Sequence, residues 1–132
     1  MNHSKEIMQD LRVLPCLSGL RDKELLTISR LARIRDADKD EVIFKEAEPA
    51  EFFFTLRKGT VKLYKTSEEG RELTVKVMRP GDYFCCAPFY SGGKHYVGAN
   101  TVEMSTLIVI PAKDFKEKLR EEVGETGWKI IA

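Results

Sequence analysis

The chain has 132 residues, enough for one domain with a real hydrophobic core. With 42% hydrophobic and 33% charged residues it falls among globular sequences, which excludes extended disorder and collagen-like repeats. Its 22 Lys and Arg nearly cancel its 21 Asp and Glu, which speaks against a dedicated nucleic-acid surface, because phosphate binding needs clustered cations.

No apolar run approaches the ~18 residues of a membrane span, so no membrane partner is expected. The opening "MNHSKEIMQD" lacks the apolar stretch of a signal peptide. The expected location is cytoplasmic. Three cysteines, an odd number, fit a reducing compartment better than a disulfide framework.

Residues 4–14 read as a short amphipathic helix, with Ile7, Leu11 and Leu14 on one face and Pro15 just past its end. Residues 22–33 read as a second helix, with Leu25, Ile28 and Leu31 on one stripe. The period then changes. "RIRDAD", "EVIF", "EFFFTL", "TVKLYK", "ELTVKVM", "HYVGANTV" and "TLIVI" are short strand candidates separated by turn material. Val61 and Leu63 share one strand face, and Leu73, Val75 and Val77 share another. The connection 66–71 contains Gly70 and reads as a hairpin. After Pro111 the helical period returns, with Phe115 and Leu119 on one face. Two helices, seven or eight antiparallel strands and a closing helix make a mostly β protein with flanking helices. Short strands at even spacing suggest a jelly roll or barrel that closes its own edges.

These residues resemble the cyclic-nucleotide-binding β-roll of the CRP/FNR transcriptional regulators. The resemblance is carried by Val42-Ile43-Phe44, the "EAEPAE" loop, "FFFTLRKGTVKLY", the Gly70 hairpin, "VMRPGDYF" and "TLIVIPAKDF". Gly59, Gly70 and Gly81 sit at turns of the roll, where positive φ or close approach is expected. The resemblance covers residues 18–122, the core of a single effector-sensing domain, 1–132. It implies that "GWKIIA" begins a dimerisation helix, so that 124–132 is the cut-off start of that helix. It further implies a homodimer in the full-length protein, and DNA contact only through a C-terminal helix-turn-helix domain. No helix-turn-helix pattern occurs in these residues.

In cyclic-nucleotide binders of this fold a phosphate cassette follows the Gly-Asp turn. An Arg neutralises the cyclic phosphate, a Glu takes the ribose hydroxyl, and backbone amides complete the cradle. Here the Gly-Glu positions fall on Cys85 and Cys86, Leu-Gly on Ala87 and Pro88, and the Arg on His95 or Tyr96. Neither the carboxylate nor the guanidinium is present, and proline removes one backbone donor. Lys94 and His95 lack a bidentate fork. Cyclic AMP is therefore not the expected effector. The candidate effector pocket comprises Phe84, Cys85, Cys86, Ala87, Pro88, His95 and Tyr96.

Three readings of the cysteines stay open. Free Cys packs as a small hydrophobe. It also senses oxidants, through sulfenic acid or with Cys16 as partner. The third reading comes from the resemblance: "GDYFC" is similar to the stretch of the haem-binding branch in which the Cys ligates haem, which makes Cys85 the candidate haem or redox ligand. That branch carries a His two residues later, where this chain has Ala87. The cofactor is thus unassigned, with haem as one option. Tyr83, Phe84, Phe89, Tyr90 and Tyr96 are either roll core or an aromatic lining for a flat organic ligand.

Two competing classes are a cupin-like metal enzyme and a non-binding regulatory module. The first needs several His and a carboxylate at one metal. The chain has only His3 and His95, and His3 reads as a solvated side chain. No catalytic triad, phosphate loop or zinc-helix motif is present, so neither a catalytic residue nor a metal ligand is assigned and the chain reads as a non-enzyme.

Overall fold

A computed structural model describes residues 4–12, 20–84, 93–118 and 120–121. The order is α1 (Ser4–Arg12), α2 (Asp22–Ser29), β1 (Arg33–Ala37), β2 (Val42–Phe44), β3 (Phe52–Lys58), β4 (Val61–Thr66), β5 (Glu72–Met78), β6 (Tyr83–Phe84), β7 (Gly98–Thr101) and β8 (Ser105–Pro111). A third helix, α3, covers 112–121, position 119 apart. Leu14 and Leu119 lie outside the described residues.

The strands form two four-stranded antiparallel sheets, ordered β1-β8-β3-β6 and β2-β7-β4-β5. They face each other as a roll, as the even strand spacing predicts. Strand alternation sorts the first sheet into two faces. Ile34, Phe53, Ile108 and Ile110 point to the helices and pack with Ile7, Leu11, Leu25, Ile28 and Phe115. Phe54, Leu56, Leu107 and Val109 point into the roll and meet Ile43, Phe44, Val61, Met78 and Ala99. α3 is anchored by the edge of the Phe115 ring on Phe53, with centroids 5.3 Å apart. α1 gains a polar anchor as well. A register break at Arg57 turns that side chain to the helix, where it pairs with Asp10 at 2.7 Å.

Two expectations are corrected. The 22–33 helix ends at Ser29. The N–H groups of Leu31 and Ala32 donate three residues back, to Ile28 and Ser29 at 3.0 and 3.2 Å, which tightens and ends the last turn. Arg33 is then taken by the sheet, opposite Val109. The periodic stripe is real, since Leu31 packs on the helix-side core, but sheet pairing overrides it. Likewise Leu73, Val75 and Val77 do not share one face. β5 carries one extra residue opposite the Leu63/Tyr64 step, so Val77 pairs with Lys62 and Leu73 with Lys65. Paired residues share a face, and Lys62 and Lys65 are an odd number of positions apart.

Gly59 and Gly98 hold the strands at close range. Gly59 has φ +98°, and a Cβ there would collide with Ser105 Oγ. A Cβ on Gly98 would run into the Tyr64 ring. We expect Gly59→Ala to cost about 2–4 kcal/mol, positive-φ strain plus overpacking. Gly70 has φ +84° with nothing within 4 Å of its virtual Cβ, so Gly70→Ala should cost only the strain, about 1 kcal/mol. Urea unfolding of both variants checks the difference, and equal losses would refute the close-approach account.

Candidate functional site

The interior of the roll opens into a cavity of about 480 Å³ between β1 and the segment 43–52. Its floor is one rung of the first sheet. Arg33 pairs with Val109, and Val109 with Phe54, so the three side chains share the inward face. The roof is Ile43, Phe44 and His95, and the mouth carries Glu48, Pro49, Glu51 and Phe52.

The triplet Phe52-Phe53-Phe54 explains the aromatic character. On a strand its outer members point one way and the middle one the other. Phe53 goes to the helices, and Phe52 and Phe54 go to the cavity. The rings form a chain. His95 stacks on Phe44 with centroids 3.7 Å apart and planes 6° from parallel. Phe44 meets Phe54 at 5.5 Å, and Phe54 meets Phe52 at 6.3 Å.

His95 owes its place to its backbone. Its N–H donates to the Glu48 carbonyl at 3.0 Å, and its carbonyl accepts the Ala47 N–H at 2.9 Å. Lys94 bridges Pro49, and the Ala50 N–H donates to the Gly93 carbonyl at 2.5 Å. This pairing with the loop is why β7 begins only at Gly98, later than the "HYVGANTV" pattern suggests. His95 is 7% exposed. Burial pushes its pKa below the ordinary value, partly opposed by the Glu48 carboxylate, so the neutral ring is the favoured form.

Of the other sequence-predicted site residues, Tyr96 is 63% exposed and does not line the cavity. Phe84 ends β6 with its backbone opposite Phe54. Cys85, Cys86, Ala87 and Pro88 lie outside the described residues, as do Cys16, Phe89 and Tyr90. The cavity also uses residues that sequence reasoning did not select: Arg33, Arg35, Phe44, Glu48, Glu51, Phe52 and Phe54. Their signal was available in alternation. Ile34 packs on the helix side while also bordering the cavity, and pairing with Val109 and Leu107 sets Arg33 and Arg35 on the inward face. Among the described residues no three His, Cys, Asp or Glu side chains group as a metal site, and no helix is long and apolar enough to cross a membrane.

The depressed histidine gives a pH prediction. The unfolded chain takes up the His95 proton at the ordinary value of 6.5, while the folded chain resists it. Stability from this residue is therefore full above that value and is lost as pH falls through it toward the folded pKa. Thermal midpoints measured from pH 7.5 downward should fall less steeply in His95→Gln than in the parent. Parallel curves would refute a depressed His95.

A protein-family model described as "Cyclic nucleotide-binding domain" matches residues 34–122. The global nitrogen regulator of Nostoc sp. is 32% identical over 89 residues, which cover 64% of this chain and 39% of that protein. The anaerobic regulatory protein of Pasteurella multocida is 33% identical over 64 residues, covering 48% of this chain and 23% of that one. The chain thus spans well under half the length of these relatives. Among solved structures, the sensor domain of the transcriptional regulator DNR from Pseudomonas aeruginosa superimposes with a TM-score of 0.84 at 24% identity, over 93% of this chain and 83% of that one. The N-terminal domain of a transcriptional regulator from Streptomyces coelicolor A3(2) gives 0.80 at 20% identity, over 92% and 85%. The fold is shared with the DNR sensor domain, and the chain belongs to the cyclic nucleotide-binding domain family.

Proposed function

We propose that this domain is the effector-sensing unit of a cytoplasmic CRP/FNR-type transcription regulator, and that its effector is a small planar organic molecule rather than cyclic AMP. In the full-length protein it would act as a homodimer, through a helix starting within 124–132, and reach DNA through a separate helix-turn-helix domain. The names of the relatives, a nitrogen regulator and an anaerobic regulatory protein, support the regulatory role.

The observation that carries the reading is the Phe44–His95 stack. The family cassette puts a cation where the cyclic phosphate binds, and one candidate for that position here is His95. Its ring is buried against Phe44 at 3.7 Å and its charged form is disfavoured. A neutral, stacked imidazole offers a ring surface, not a phosphate clamp. The adjoining aromatic wall and a volume of about 480 Å³ suit a flat ligand of modest size.

Haem is the other option raised by the sequence. Its candidate ligand, Cys85, lies outside the described residues. His95 would offer iron an in-plane ring nitrogen without leaving Phe44, but no other His and no Cys is among the described residues, so they supply no ligand pair for haem. An enzymatic role of the cupin kind would need a converging ligand set, which is a different chemistry from an aromatic cleft.

Calorimetry separates these readings. Cyclic AMP should show no binding at micromolar concentration, because each charge-assisted hydrogen bond missing from the cradle weakens binding by about 1.5–3 kcal/mol. Micromolar binding would sink the proposal. A Soret band that forms on haem addition and moves in Cys85→Ser would replace the organic effector with haem.

A further inference from the structure

β1 places charge where its neighbours place hydrocarbon. On the inward face of the first sheet, β8 and β3 contribute Val109, Leu107, Phe54 and Leu56. β1 extends the same two rungs with Arg33, opposite Val109, and Arg35, opposite Leu107. Arg35 is engaged, since its Nη2 lies 3.2 Å from a Glu41 carboxylate oxygen and 3.4 Å from the Val42 carbonyl. Arg33 lines the cavity, and among the described residues its guanidinium makes no hydrogen bond or ion pair.

An inward charge on an edge strand also discourages pairing with a second sheet. That role needs no particular neighbour. Here the guanidinium stands at the end of a rung whose other side chains are Val109 and Phe54, with Phe52 and the Phe44–His95 stack beside it. Two carboxylates line the same cavity. Glu51 lines the mouth, and Glu48, whose Oε1 accepts the Lys45 N–H at 2.8 Å, stands beside Pro49. The cavity therefore has an aromatic wall, one guanidinium that is unpaired among the described residues, and two carboxylates in its lining.

We propose that this cavity selects a planar monocarboxylic acid, with its ring against Phe44, Phe52 and Phe54 and its carboxylate on Arg33. The inference rests on the cavity being the effector site. A guanidinium fork matches a carboxylate in geometry and charge. A second negative group on the ligand would enter a cavity already lined by the Glu48 and Glu51 carboxylates and be repelled. Dicarboxylates and phosphate esters are accordingly the wrong shape of charge.

The test uses three probes of one ring system, naphthoate, naphthylmethanol and naphthalene dicarboxylate, titrated calorimetrically into the protein. Naphthoate should bind at least about tenfold tighter than either of the others. Arg33→Gln should bring naphthoate down to the affinity of naphthylmethanol and leave naphthylmethanol unchanged. Arg33 is exposed, so an unaltered thermal midpoint is expected for the variant. The ranking of the three probes on the parent protein stands as a test without it. If naphthylmethanol matches naphthoate, or if Arg33→Gln leaves naphthoate binding intact, the acid selection is overturned while the cavity keeps its ligand. If the dicarboxylate binds tightest, the two lining carboxylates play no part and the proposal also fails. If none of the three binds at millimolar concentration, the organic-effector reading and this inference fall together.

Discussion

The main-chain pairing of residues 47–50 with 93–95 is the constraint on which the site depends. Backbone hydrogen bonds tie the β2–β3 loop to the segment that leads into β7. The pairing closes one end of the roll without adding a strand. It also delivers His95 to Phe44 with its ring flat against the benzyl face. Without it, β7 would be free to extend back toward "HYV", and the imidazole would point wherever strand alternation sent it. The roof of the cavity would then be gone while both sheets stayed intact.

The roof and floor obey different rules. The floor is set by pairing register, which alternation enforces rung by rung. Arg33, Val109 and Phe54 face inward because Ile34, Ile108 and Phe53 must face the helices. The identity of the floor thus follows from how α1, α2 and α3 are docked. Arg57, pulled out of the ladder to meet Asp10, shows the same coupling from the other side. The loop pairing is free of this rule, because main-chain hydrogen bonds and not strand alternation hold it.

The fold was legible in the sequence to the level of its elements. The strand runs are short and bounded by turn residues, and the hairpin at Gly70 and the helix after Pro111 stand where the periodicity puts them. The failures have local causes. At 30–33, helical periodicity and strand pairing compete for the same residues, and pairing with β8 wins. In β5 the apolar alternation is perfect, yet an inserted residue breaks the register, and insertions leave no mark in a one-strand pattern. The site was less legible. His95 could be found by aligning a motif. The partners that give it meaning, Phe44 and Glu48, lie about fifty positions away and meet it only through the fold. Arg33 and Arg35 were readable as inward-facing once Ile34 was assigned to the helices. Nothing in the order of residues alone points to β1 for a ligand group.

The proposed exchange of a phosphate cassette for an aromatic cavity has a physical logic. A cyclic nucleotide site concentrates its affinity in charge-assisted bonds to one phosphate, so losing the Glu and Arg removes most of it at once. An aromatic cavity spreads its affinity over Phe44, Phe52, Phe54 and His95, and no single residue dominates. Such a wall binds flat molecules without choosing among them. Selection must then come from the few charges at its edges, where a mismatched ligand leaves a group desolvated and unpaired. Arg33, Arg35, Glu48 and Glu51 are the charges that line this cavity. Neutral His95 adds surface to that wall without adding a further cation.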